Sequence, residues 1–170
     1  GLGGRELPAG ESATFGPLTV TSVACEHAEA AEKQVNFHLA WEGTGLYFGG
    51  DARRSENHRT CAEALRVDVA LLPVGGTRVC GRKVVADAQD AVEAGRDLGA
   101  RYTVPIHEGG EWAGIPPLYW NPGRAEDLGR LSSGRPDCPQ ALHLRRGERV
   151  SFTGRGDDLY VYARDAVPGG

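Results

Sequence analysis

Apolar and polar positions alternate along several short segments in the way that β-strands require. Residues 35–41 (VNFHLAW) show this most clearly, and the pattern predicts a strand with its odd-numbered side chains buried and Asn36 and His38 on the opposite face. Further strands are predicted at 20–23, 46–48, 67–72, 102–106, 150–153 and 159–162.

Helical spacing marks three other segments. The strongest covers 83–98, where apolar residues recur on one stripe and Gly99 ends the helix. A shorter helix is predicted over 55–65, with Thr60 and Glu63 spaced like a capping box, and another over 124–131. Strands and helices in this order predict an α/β fold with a mixed sheet and covering helices.

The segments 67–72, 83–98 and 102–106 form a strand-helix-strand unit. A right-handed crossover puts the carboxyl ends of its two strands at the same edge of the sheet, so the Gly75-Gly76 pair and His107 should be neighbours. Asp51 follows another predicted strand and the pair Gly49-Gly50. A carboxylate and an imidazole at strand ends suit a divalent metal ion.

Composition narrows the class of protein. The 170 residues predict a single domain, and the net charge of -4 gives no basic surface for nucleic acid. No apolar run is long enough for a membrane helix and no signal-peptide pattern is present, which predicts a soluble, cytoplasmic protein. Four scattered cysteines predict free thiols, and the lack of methionine predicts a processed product or fragment.

Each candidate site residue also has an ordinary structural interpretation. His27, at the exit of an apolar strand, is a candidate ligand, whereas Asp51 could instead be a turn residue that caps the next helix. Cys25 with His27 could form a nucleophile and base, but no third group is evident, which favours a buried thiol. Structural or solvated roles are predicted for His38, His58 and His143.

The ordered segments TVTSVACEH, NFHLAWEGTGLYFGGD, VDVALLPVGG and ARYTVPIHEGG, followed by LRRGERV, resemble the C-terminal half of the metallo-β-lactamase superfamily. The resemblance covers about 13–149 and is closest to the branch that holds ascorbate-6-phosphate lactonase and N-acyl-phosphatidylethanolamine phospholipase D. It implies half of an αββα sandwich with metals at one edge of the sheets.

By motif position, the resemblance implies that His27, Asp51 and His107 are metal ligands, with Asp51 bridging two metals. It further implies a metal-bound hydroxide that attacks a lactone, ester or phosphodiester, with zinc, manganese or iron as the metal. Asp51 and His107 would then be catalytic. Trp112 and Tyr119, which follow His107, would shape the pocket of a small-molecule substrate.

The HxHxDH motif of that family is absent, since no two histidines lie closer than the eleven residues between His27 and His38. We therefore expect the remaining ligands to come from a complementary N-terminal half chain or through a homo-oligomer, because half a sandwich exposes an apolar sheet face. Two alternatives stay open: a non-catalytic binding or assembly module, and a mononuclear site with two histidines and one carboxylate.

Overall fold

A computed structural model describes residues 4, 6–26, 34–109, 114–145 and 147–166 of the chain. Three α-helices are present in this part of the chain, α1 (Asn57–Ala64), α2 (Ala88–Asp97) and α3 (Ala125–Ser132), with a short 3-10 helix at Gly156–Asp158. The strands are β1 (Ser12–Phe15), β2 (Leu18–Ala24), β3 (Val35–Trp41), β4 (Thr44–Phe48), β5 (Val69–Pro73), β6 (Arg78–Val79), β7 (Arg82–Lys83), β8 (Tyr102–Ile106), β9 (Gly114–Ile115), β10 (Tyr119–Trp120), β11 (Gln140–Ala141), β12 (Glu148–Thr153) and β13 (Tyr160–Ala166).

Seven strands form the main sheet, in the order β1-β2-β3-β4-β5-β8-β11. Strands β1 to β4 pair antiparallel, whereas β4, β5, β8 and β11 run parallel to one another. Because β3 is antiparallel to both β2 and β4, the strands β2, β4, β5, β8 and β11 all end at the same side of the sheet. We call this side the carboxyl edge.

The three helices pack on one face of the main sheet. Their apolar side chains meet those of the sheet in the main core, which includes Tyr47, Leu72, Val92 and Leu128. Gly99 follows α2 in a left-handed conformation, with φ of 64°, that suits glycine and ends the helix as predicted. Among the described residues, no helix is both long and apolar enough to span a membrane.

The opposite face of the sheet is covered over β5 and β8 by the hairpin β12–β13. Phe152 packs against Tyr102, with ring centroids 5.3 Å apart, and Leu159 completes this second core. Over β1 to β4 the same face carries four exposed aromatic residues, to which the registers of β1 to β4 assign a common side: Phe15, Phe37, Trp41 and Phe48. We call these four residues the aromatic face.

The predicted orientation of β3 is wrong. Asn36 and His38 are each 3% exposed, whereas Phe37 is 36% and Trp41 is 53% exposed. Asn36 and His38 can be buried because each of them finds a hydrogen-bond partner on this side of the strand. The Asn36 amide donates to Tyr47 Oη at 2.6 Å, and His38 Nε2 lies 2.7 Å from the carbonyl oxygen of Arg66.

Two predicted helix starts also need correction. Helix α2 begins at Ala88 rather than at position 83, because Asp87 and Asp90 form a reciprocal capping box and Lys83 belongs to β7. In α1 the predicted capping box is absent. Thr60 lies inside the helix, and the N-cap residue Glu56 makes no side-chain cap hydrogen bond.

A small second sheet, in the order β7-β6-β10-β9, was not predicted from the sequence. Its strands have two residues each, which is too short for an alternating pattern to show. They belong to the loops that follow β5 and β8. Strand β11 was missed for the same reason, and the predicted closing strands 150–153 and 159–162 form the separate hairpin β12–β13.

Candidate functional site

The two predicted ligands Asp51 and His107 both lie at the carboxyl edge. Asp51 is in the turn after β4, and His107 directly follows β8. Both residues are exposed. One strand, β5, separates β4 from β8, so the two strand axes are about 10 Å apart. At that spacing, side chains from the two loops can approach a common ligand.

The backbone at His107 is fixed on both sides. His107 has a φ of 52°, in the left-handed region that histidine adopts more readily than most residues. Just before it, the carbonyl of Ile106 accepts a hydrogen bond from the Val74 amide at 3.0 Å. Just after it, the Glu108 carboxylate accepts from the Ala125 amide at 2.9 Å and so binds the start of α3.

The end of β2 joins the same edge. The Arg53 amide donates to the carbonyl of Glu26 at 2.7 Å, which holds the residue before His27 beside the loop that carries Asp51. Nearby, Cys25 is buried and has no disulfide partner. Burial, followed by the charges of Asp51 and Glu26, raises the pKa of the Cys25 thiol to about 11. This favours the buried-thiol interpretation over a nucleophile.

Two of the predicted site residues, His27 and Trp112, lie outside the residues that the structure describes. Tyr119 is in β10 of the small sheet and is exposed. Two residues after Tyr119, the side chain of Asn121 lies against Gly75. Asn121 thus connects the small sheet to the carboxyl edge. Tyr119 is therefore two residues away from Asn121, which contacts the carboxyl edge directly.

The N-cap residue of α1, Glu56, makes no side-chain cap hydrogen bond, and the interpretation of Asp51 as a helix cap stays a prediction. Two of the other histidines are structural. His38 is buried and bonded to the Arg66 carbonyl, and burial lowers the pKa of His58, which keeps its imidazole neutral in the core. Half-buried His143 lies 3.9 Å from the Glu126 carboxylate.

The described residues do not by themselves complete a metal site. Within them, no group of three or more histidine, cysteine, aspartate and glutamate side chains is arranged to hold a metal ion. Asp51 and His107 are nevertheless donors of the right chemistry, since a carboxylate and an imidazole bind zinc, iron and manganese. Further ligands would have to join these two.

The beta-lactamase superfamily domain matches residues 4–107, which is more than half of the chain and includes both Asp51 and His107. The chain belongs to the beta-lactamase superfamily. This agrees with the sequence resemblance at the level of the superfamily, and the match ends at His107, the last of the predicted metal ligands.

Among curated proteins, the chain is similar to a UPF0173 metal-dependent hydrolase from Methanoregula boonei. The two are 31% identical over 108 residues, which are 62% of this chain and 46% of the relative. A UPF0173 metal-dependent hydrolase from Alkaliphilus metalliredigens is 35% identical over 71 residues, 42% of this chain and 29% of the relative. The chain thus spans about half, or less, of these curated relatives.

Similar solved structures confirm the predicted α/β architecture. Igni18, a metallo hydrolase from Ignicoccus hospitalis, superposes with a TM-score of 0.63 at 16% identity, over 91% of this chain and 59% of Igni18. CmlA, a diiron β-hydroxylase from Streptomyces venezuelae, superposes with a TM-score of 0.62 at 14% identity, over 82% of this chain and 33% of CmlA. At these identities the likeness shows the fold alone.

The sequence interpretation missed residues that hold the edge together. Asn121 lies against Gly75, and the amide of Gly123 donates to the Gly75 carbonyl at 2.8 Å. The available signal was the Asn121-Pro122-Gly123 turn directly before a helix, a sequence that predicts a tight turn but does not say what the turn contacts.

Proposed function

We propose that this chain is part of a metal-dependent hydrolase whose metal site lies at the carboxyl edge, with Asp51 and His107 as ligands. The observation that carries the proposal is their placement. Two exposed donors of different chemistry stand at the ends of β4 and β8, separated by one strand, in a chain of the beta-lactamase superfamily.

His27 is the third ligand in this proposal, because the preceding residue, Glu26, is hydrogen-bonded beside the Asp51 loop. Zinc, manganese and iron all suit this set of donors, and we favour zinc. When bound, such a metal lowers the pKa of a water ligand and polarises the bond under attack. The role of the chain is to hold the carboxylate and imidazoles in place and to leave substrate access at the edge.

The remaining ligands and the cover of the aromatic face come, in this proposal, from the rest of the fold. The exposed fractions of Phe15, Phe37, Trp41 and Phe48 are 64%, 36%, 53% and 41%, and contiguous apolar surface of this kind typically marks an interface. We propose a complementary N-terminal half of the fold as the partner, with a second copy of the chain as the other possibility. We call the chain together with this partner the complete assembly.

We propose a lactone, an ester or a phosphodiester as the substrate class. A lactone, an ester or a phosphodiester is attacked by the same chemistry, so each fits the proposed site. We propose that Tyr119, and Trp112 before it, line the substrate pocket, because both belong to the segment that follows His107. We place the protein in the cytoplasm, where its four free cysteines would stay reduced.

A second candidate function is a non-catalytic binding or assembly module with the same fold. It is favoured by the finding that no group of three or more donors is arranged for a metal within the described residues. In that case Asp51 and His107 are exposed loop residues without a catalytic role. Replacing both would then leave the activity of any associated protein unchanged.

Hydrolysis assays of the complete assembly separate the two functions. A lactone, a p-nitrophenyl ester and bis(p-nitrophenyl) phosphate serve as probes, before and after treatment with a chelator. We expect Asp51→Asn and His107→Ala each to lower kcat/KM by at least about 100-fold for the active probe. Asp157→Asn is the matched control, because this exposed carboxylate pairs with Arg66, which precedes β5 at the opposite edge. Equal activity of all three variants and the wild type would contradict the proposal.

A further inference from the structure

The loops at the carboxyl edge are connected by a continuous series of backbone hydrogen bonds. Its first member is the bond from the Arg53 amide to the Glu26 carbonyl, at 2.7 Å. The Ala86 amide donates to the carbonyl of Ala52, the neighbour of Asp51, at 3.2 Å, and the Gly76 amide donates to the Ala86 carbonyl at 2.9 Å. The two bonds of Ala86 thus connect the loop after β4 to the loop after β5.

The second half of the series reaches the loop after β8. The Gly123 amide donates to the Gly75 carbonyl at 2.8 Å, and the Gly109 amide donates to the Gly123 carbonyl at 2.8 Å. Gly109 follows His107 by two residues. We call these five bonds the edge belt. They link the loop of Asp51 to the loop of His107 through two segments, before α2 and before α3, that contain neither of these residues.

Three glycines allow the loops to approach closely enough for the edge belt to form. A Cβ atom on Gly123 would overlap the Val74 carbonyl oxygen, and one on Gly75 would overlap the carbonyl oxygen of His107. On Gly109 it would overlap the Asn121 carbonyl oxygen. None of the three has a left-handed φ, so close approach rather than backbone strain requires glycine at these positions.

Side-chain hydrogen bonds also stabilise the end of the edge belt that lies near His107. The Arg124 guanidinium donates to the Gly109 carbonyl, and the hydroxyl of buried Thr77 lies 3.3 Å from Asn121 Oδ1. The Glu108 carboxylate, which accepts from the Ala125 amide, adds a third side-chain contact at this end.

We infer that the edge belt fixes the separation of Asp51 and His107 before any metal binds, and that Gly75, Gly109 and Gly123 are positioning residues of the site. The inference rests on the proposed function, since it assigns a purpose to the spacing of two metal ligands. When contacts that orient metal ligands from outside the first coordination sphere are lost, metal affinity typically falls by about 10- to 100-fold.

Metal titration of glycine variants tests the inference in the complete assembly. Cobalt(II) is the probe, because its visible absorption reports both affinity and coordination geometry. Gly123→Ala should bind cobalt about 10- to 100-fold more weakly than wild type, with a shifted absorption spectrum. Gly129→Ala is the matched control, since this glycine lies in α3 with open space around its missing Cβ. It should bind cobalt like the wild type.

The outcomes distinguish this inference from the proposed function. If the wild type binds cobalt and folded Gly123→Ala gives the same affinity and spectrum, the inference fails while the proposed function stands. If the wild type binds no cobalt, both fail. Should Gly123→Ala not fold, hydrogen exchange in the metal-free wild type decides. The amides of Gly76, Gly109 and Gly123 should exchange at least about 100-fold more slowly than unbonded loop amides, and unprotected exchange would overturn the inference.

Discussion

The thiol of Cys25 lies at the carboxyl edge, yet its environment opposes ionisation. Burial contributes most to its raised pKa, and the negative charges of Asp51 and Glu26 add to it. A thiolate is the reactive form of cysteine, so a pKa near 11 leaves very little nucleophile at neutral pH.

We therefore predict that iodoacetamide alkylates Cys25 slowly at neutral pH and that the alkylation rate keeps rising as the pH increases. The thiolate fraction should rise about tenfold per pH unit until the pH approaches the raised pKa, whereas a thiol with the ordinary pKa of 9.0 levels off two units earlier. Peptide mass spectrometry between pH 7 and pH 10 measures this, with exposed Cys80 as the internal reference. Faster labelling of Cys25 than of Cys80 at pH 7 would support a nucleophilic role instead.

Single residues show where sequence interpretation succeeds and where it fails. Gly75-Gly76 and His107 were predicted to be neighbours and are, because crossover handedness is a general rule. The burial of Asn36 and His38 was not predictable, since it depends on Tyr47 and on the Arg66 carbonyl, which are remote in the sequence. A strand with polar groups that find such partners can bury either face.

At the scale of elements, long apolar patterns were reliable guides. Helix α3 and strand β8 were predicted close to their observed limits, whereas β12 begins two residues earlier and β13 ends four residues later than predicted. The start of α2 was misplaced because Val84 and Val85 continue the helical stripe, although the Asp87 cap begins the helix later. The small sheet escaped prediction because its strands have two residues each and because its central pairing, β6 with β10, joins segments about forty residues apart.

The aromatic face is the element-scale feature with the clearest consequence. Replacing Trp41 and Phe48 together by serine should leave the unfolding temperature of the isolated chain nearly unchanged, because both side chains are already exposed. Association with the rest of the fold should weaken by at least about 10-fold, since two aromatic contacts of an interface are lost. Titration calorimetry or analytical ultracentrifugation measures this change.

Tyr162→Ser is the control for this pair of substitutions. Tyr162 is 74% exposed on β13 and does not belong to the aromatic face, so its loss should not alter association. Unchanged association of the Trp41 and Phe48 double variant, with its fold intact, would show that the partner binds elsewhere.

For the whole molecule, the superfamily and its fold were accessible from the order of the motifs, whereas the completeness of the site was not. Asp51 and His107 come to one edge because parallel strands end there. His27 lies outside the described residues, and the chain spans about half of the curated relative from Methanoregula boonei. The proposed further donors are therefore His27 and residues of the complementary half of the fold.

The metal content of the complete assembly tests the central claim most directly. Elemental analysis of the purified assembly should find about two zinc, manganese or iron ions per site, as expected for a dinuclear hydrolase. The same analysis of His107→Ala should find fewer, because one ligand is lost. An assembly that is folded but contains no such metal, and that takes up none from added zinc, would contradict the account.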